Sequence, residues 1–117
     1  MDRSSYPRIF LILGLAYVFA FFGIGKLVHP LLWIQWIPPF AEGLFGLTRE
    51  VWLTIAGVME ILLAIGLLMP VRKVQKIVAV LLALHLVMVL SQTGLWHDIG
   101  VRDMGLLFMA LALMFAL

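Results

Sequence analysis

The sequence predicts an all-α integral membrane protein: a four-helix bundle with an interfacial Trp-rich segment between helices 1 and 2. Three observations carry this prediction. The 117 residues are 65% hydrophobic and only 12% charged, with a mean hydropathy of +1.18. A soluble domain would be about half apolar, with about a quarter of its residues charged. Four apolar runs, at about 9–28, 50–69, 77–94 and 100–117, each approach or reach the length of a bilayer crossing. So little polar sequence separates them that residues 1–117 are read as a single transmembrane domain with no soluble domain beside it.

The first run follows a polar start, MDRSSYPR, and extends from Ile9 to Gly25, ending at Lys26. A basic start before an apolar run also fits a signal peptide. This run is longer than a usual signal core, however, and FFGIGK offers no small-residue cleavage site, so it is read as a retained span. Residues 27–49 form the longest connection, in which Pro30, Pro38 and Pro39 break regular helix. Between the prolines, LLWIQWI is too short to span, and Trp33 and Trp36 suit the membrane interface. A short helix or re-entrant segment at the surface is expected there. Thr48 is placed to cap the next helix, with Glu50 in its first turn facing the positive end of the dipole.

The second run, Val51–Met69, contains one ionisable residue, Glu60, roughly 14 Å from either end. An ionised acid at that depth costs about 2.5–3.5 kcal/mol on insertion scales. Ala56, Gly57 and Ala64 share its helical face and let a neighbouring helix approach closely. After Pro70, the tight loop PVRKVQK supplies Arg72, Lys73 and Lys76. The third span, near 77–94, carries His85 at its centre and Gln92 two turns on along the same face. LWHDIG follows as a turn. The fourth span is the shortest, about 24 Å from Arg102 onward.

Four spans place both termini and the middle loop on one side, with Arg3, Arg8, Arg72, Lys73 and Lys76 against Asp2. The other side carries Lys26, Arg49 and Arg102 against Glu42, Glu50, Asp98 and Asp103. The positive-inside rule therefore puts both termini in the cytoplasm. This topology sets Glu60 and His85 at similar depth near the middle, and Lys26, Arg102 and Asp103 near the outer end.

Glu60 and His85 have two readings. They form a proton-handling pair, because burial opposes the charged form of each group, or they make structural hydrogen bonds that fix helix packing. Lys26, Arg102 and Asp103 form an interfacial salt bridge locking the first and fourth helices, with Lys26 snorkelling outward. Their alternative role is a polar clamp for an anionic or carbonyl-bearing ligand. Trp33, Trp36 and Phe40 form an interfacial belt or the wall of a site for a flat lipophilic molecule. Gly23-Ile24-Gly25-Lys26 lacks the earlier glycine and the following Ser or Thr of a phosphate loop. His29, His85 and His97 have no metal-ligand spacing, and no metal is expected. The absence of cysteine excludes disulfides and thiol chemistry by this chain. Eight basic residues spread along the chain, at a pI near 9.4, form no nucleic-acid footprint.

FFGIGKLVHP at 21–30, GVMEILLAIGLL at 57–68, HLVMVLSQ at 85–92 and VRDMGLLFMALAL at 101–113 together resemble the DoxX family over essentially the whole chain. The resemblance implies a small four-helix protein of the bacterial inner membrane. It further implies a subunit of a membrane redox complex of the thiosulfate:quinone oxidoreductase type, with Lys26, His29, Glu60, His85, Arg102 and Asp103 as the recurring polar positions. Glu60 and His85 would then handle protons. Lys26, His29, Trp33, Trp36, Gln92, Arg102 and Asp103 would border a lipophilic ligand. The cofactor implied is quinone, with none bound covalently. The partners implied are the lipid bilayer, a soluble redox protein and further copies of the chain, with no nucleic acid. Two rival readings stand beside this one: a non-enzymatic scaffold or assembly factor, and a small proton-coupled transporter. Four-helix multidrug transporters carry their glutamate in the first helix, and here that helix has none.

Overall fold

The computed structural model describes residues 5–94 and 98–117. Asp2 and Arg3, two of the charges weighed for topology, and His97 in the turn before the fourth span lie outside the described residues. The long helices are α1 (Ser5–Val28), α3 (Arg49–Leu68), α4 (Arg72–Thr93) and α5 (Asp98–Ala116). Between α1 and α3 come the single-turn helix α2 (Pro30–Trp33) and three 3-10 turns, Ile34–Trp36, Pro39–Ala41 and Leu44–Gly46. There is no strand among the described residues. All four long helices are long and apolar enough to cross a membrane.

The helix boundaries follow local chemistry. Thr48 caps α3 as expected, its Oγ1 accepting from the Val51 N–H at 3.2 Å, with Glu50 in the first turn. The PVRKVQK loop needs correction: α4 begins at Arg72, not near Ile77, so most of that loop is helix. Arg, Lys and Gln are good helix formers, and the first turn of α4 is tied to its neighbours' ends. Gln75 Nε2 donates to Leu67 O at 2.9 Å, and Arg72 Nη2 donates to Ala116 O at 3.5 Å. Both acceptors are helix C-terminal carbonyls, which have no partner within their own helices.

α1 packs on α3 and α5, and α4 packs on α5 and α3, so the order around the bundle is α1, α3, α4, α5. Ile12, Leu15 and Phe19 of α1 meet Leu63 and Leu67 of α3, Ala79 and Leu82 of α4, and Ala110 and Leu113 of α5. This core fills the half of the bundle that holds the start of α1 and the end of α3. Phe10, Phe21, Leu62, Leu84, Phe108 and Phe115 point outward and are exposed. Helices apolar inside and out need an apolar surround.

The helices are staggered. Lys26 stands roughly 3 Å of rise before the end of α1, whereas Arg49 to Glu60 spans roughly 16 Å of α3; yet Lys26 and Glu60 meet. The segment from α2 to Gly46 fills this step, and Arg49 fastens it. Arg49 Nη2 donates to Ile34 O at 3.0 Å and Ile37 O at 2.6 Å, and its backbone N–H donates to Glu42 Oε2 at 2.9 Å. Trp52 Nε1 adds a bond to Leu44 O at 3.3 Å. Removing the guanidinium takes the Arg49 bond from Ile37 O and leaves Ile34 O with only its bond from the Ile37 N–H, so neither carbonyl is tied to α3 any longer. Arg49→Met is therefore expected to cost about 2–3 kcal/mol and to open 34–47 to protease while helicity by circular dichroism stays unchanged. Arg49→Lys should recover only part of the loss, because a single ammonium does not reproduce the fork.

Candidate functional site

Above the core, the other half of the bundle holds a partly open cavity of about 110 Å³. Each long helix contributes residues at helical spacing: Phe19, Phe22 and Lys26 from α1, Ala56 and Glu60 from α3, His85, Val89 and Gln92 from α4, and Ile99, Arg102 and Asp103 from α5. Trp33, Trp36 and Ile37, from the segment that Arg49 fastens, form the roof.

The close approach of α1 to α3 brings the first charges together. The two helices cross at Gly23 and Gly57, where a Cβ on Gly23 would stand 2.6 Å from Gly57 O. One turn along, Lys26 Nζ lies 2.6 Å from Glu60 Oε1, with side-chain exposures of 14% and 2%. The ammonium also stands 4.6 Å from the Trp33 ring centroid and 5.5 Å from that of Phe22. Aromatic faces thus stabilise the part of the cation that the carboxylate leaves uncovered. Gly25 makes room for Trp33, since a Cβ there would lie 2.8 Å from the indole Nε1.

The second pair lies within α5. Arg102 Nε and Nη2 both reach Asp103 Oδ1 at 3.1 Å, and Asp103 is buried while Arg102 is partly exposed. The Arg102 guanidinium sits 4.5 Å from the Phe22 ring centroid, so the Phe22 ring stands close to both cations. His85 packs edge-on against Phe19, with centroids 6.2 Å apart, and its Nδ1 is buried without a hydrogen-bond partner. Two cations and two carboxylates leave the cluster formally neutral, so nothing in it selects for an anion. A neutral group with acceptor atoms suits it better.

The cavity joins Glu60, His85, Lys26, Trp33, Trp36, Gln92, Arg102 and Asp103. His29 lies apart, exposed in an adjoining groove between α1, α2 and the start of α5. Two expectations need correction. Lys26 does not snorkel outward, nor does it bridge α1 to α5; it turns inward to Glu60 on α3. The expected separation into a buried layer and an interfacial layer disappears with it, because the stagger of α1 against α3 levels Lys26 with Glu60. No hydrogen bond or ion pair joins Glu60 to His85. Phe19, Phe22 and Ile99 were not foreseen in the site. Phe22 had a signal, standing four residues before Lys26 and hence on its face.

Comparison with curated proteins and with solved structures finds no match to this chain. A family described as a domain of unknown function, DUF8561, matches residues 15–95, which run from α1 through α4 and include every cavity residue except those of α5. The chain belongs to that family.

Proposed function

We propose that this protein is a multi-pass inner-membrane protein, with both termini in the cytoplasm, that binds the head group of a quinone-class molecule in the cavity and serves as the membrane subunit of a redox complex. The observation that carries this reading is a net-neutral set of buried polar groups under an aromatic roof, inside helices that are apolar on every face. Quinone carbonyls accept hydrogen bonds and carry no charge, and Lys26 and Arg102 are donors that already have counter-ions. Reduction of a quinone takes up protons together with electrons. The electrons would come from a soluble redox partner, and Glu60 and His85 would pass the protons. The resemblance to DoxX-type proteins adds the redox setting.

The test is native mass spectrometry of protein extracted from its own membranes in mild detergent, followed by quenching of Trp33 and Trp36 fluorescence with a benzoquinone. A co-purifying quinone and saturable quenching are expected. His85→Phe should weaken the binding roughly tenfold, the effect of losing one buried hydrogen-bond partner of a ligand. A bare oligomer carrying phospholipid alone, with no saturable quenching, would overturn the proposal.

The Lys26–Glu60 pair favours a second reading, a scaffold whose polar residues only hold α1 to α3. On that reading Glu60→Gln alters folding or partner capture and leaves quinone affinity where it was.

A further inference from the structure

The cavity is small. About 110 Å³ is on the scale of the ~150 Å³ cavity that takes one benzene ring, so it holds a single ring and no chain. Beside it lies the groove that contains His29, with a larger volume of about 450 Å³. Cavity and groove share Trp33, Trp36, Ile99 and Arg102, so the wall of one is the wall of the other. The floor of the groove is a stripe of α1, Phe21, Ile24, Gly25 and Val28, at the spacing of one helical face. Phe21, Ile24 and Val28 are exposed on the outer surface of the bundle.

Resting on the function proposed above, we infer that cavity and groove are two halves of one site for a single-tailed amphiphile with a one-ring polar head. The head occupies the cavity beside Lys26 and Glu60. The tail leaves between Trp33 and Arg102, lies along Ile24 and Val28, and continues into the surrounding lipid. Three features support this arrangement. The shared residues set the two volumes side by side across one wall, the head volume excludes a chain, and the charged side chains fall from four lining the cavity to one, Arg102, lining the groove. Gly25 contributes twice, since its missing side chain seats Trp33 and leaves the groove floor open. The tail gains little by leaving lipid for the groove, because both are apolar. Its effect is steric: a ligand whose tail has no exit cannot seat its head.

The experiment compares two benzoquinones, one with a single prenyl unit and one with a long polyprenyl tail, by tryptophan quenching in nanodiscs. Ile24→Trp and Val28→Trp each fill the groove from an exposed position that packs no core. Phe115→Trp, exposed at the far end of α5, controls for the added indole. Comparing each variant with the unmodified protein, one ligand at a time, cancels partitioning into the bilayer. Both groove variants are expected to weaken the long-tailed quinone at least about tenfold more than the short one, the scale of overpacking a filled site. The control should leave the ratio of the two affinities as it is. An unchanged ratio in both groove variants would overturn the head-and-tail site while quinone binding itself stands. Failure of both quinones to bind the unmodified protein would overturn the functional proposal and this inference together.

Discussion

Lys26→Met is expected to destabilise the bundle by about 3–5 kcal/mol, the cost of breaking a buried ion pair from one side. Among the described residues, the lost partner is the only cation within ion-pair distance of Glu60, whose side chain is 2% exposed. Removing the ammonium strands a carboxylate among Ala56, Phe19 and its other apolar neighbours in the cavity. The reverse change should cost less. After Glu60→Leu, the ammonium of Lys26 still has the Trp33 and Phe22 rings beside it. It also lies close to the end of α1, so its flexible stem can carry it outward. The double variant Lys26→Met/Glu60→Leu should recover most of the loss, since apolar residues of similar volume often replace a buried pair at little cost. Denaturant titration in detergent on all four proteins gives the double-mutant cycle. Equal and small losses for the two single variants, with additive behaviour in the double, would show that the pair holds nothing together.

Helix count, helix identity and most helix ends were legible in the sequence, because apolar runs punctuated by Pro30, Pro70 and short polar turns leave little choice of element. The start of α4 was not, because Arg72, Lys73 and Lys76 read as a loop when weighed as topology charges. These residues are good helix formers, and Arg72 and Gln75 in the first turn bond to end carbonyls of α5 and α3. The site was legible as a set of residues and illegible as a set of pairs. Glu60 stood out because a lone acid in an apolar run must be paired, and Gly57 marked the face through which its partner comes. With α1 and α3 level, depth alone points to His85 as that partner. The 2.6 Å contact with Lys26 depends on a stagger of more than two helical turns, which belongs to the Trp-rich segment rather than to either helix. Residues 30–47 show no periodicity that would reveal it. Arg49, counted only for its charge, makes the bonds that hold that segment in place.

The largest effect is expected at Gly23. A Cβ there would lie 2.6 Å from Gly57 O and 2.6 Å from Ile61 Cγ1. The isoleucine tip can turn away, but the carbonyl is backbone inside α3 and cannot yield without moving the helix. Gly23→Ala must therefore push α1 off α3, at about 1–3 kcal/mol for overpacking alone. The same displacement pulls Lys26, one turn on, away from Glu60, adding part of the buried-pair cost. Gly23→Leu should leave no folded bundle in mild detergent. Gly57→Ala is expected to be milder, its nearest contacts being 3.0 Å to Gly23 O and 3.1 Å to Lys26 Cβ. Gly105→Ala, with nothing within 4 Å of the added methyl, should be neutral or stabilising by up to about 1 kcal/mol, because α5 gains helix propensity at an open position. Thermal unfolding of the three alanine variants in one detergent ranks them, with Gly23 losing most and Gly105 least. If Gly23→Ala proves as well tolerated as Gly105→Ala, α1 and α3 do not cross at these glycines. The geometry that pairs Lys26 with Glu60, and with it the roofed cavity, then falls.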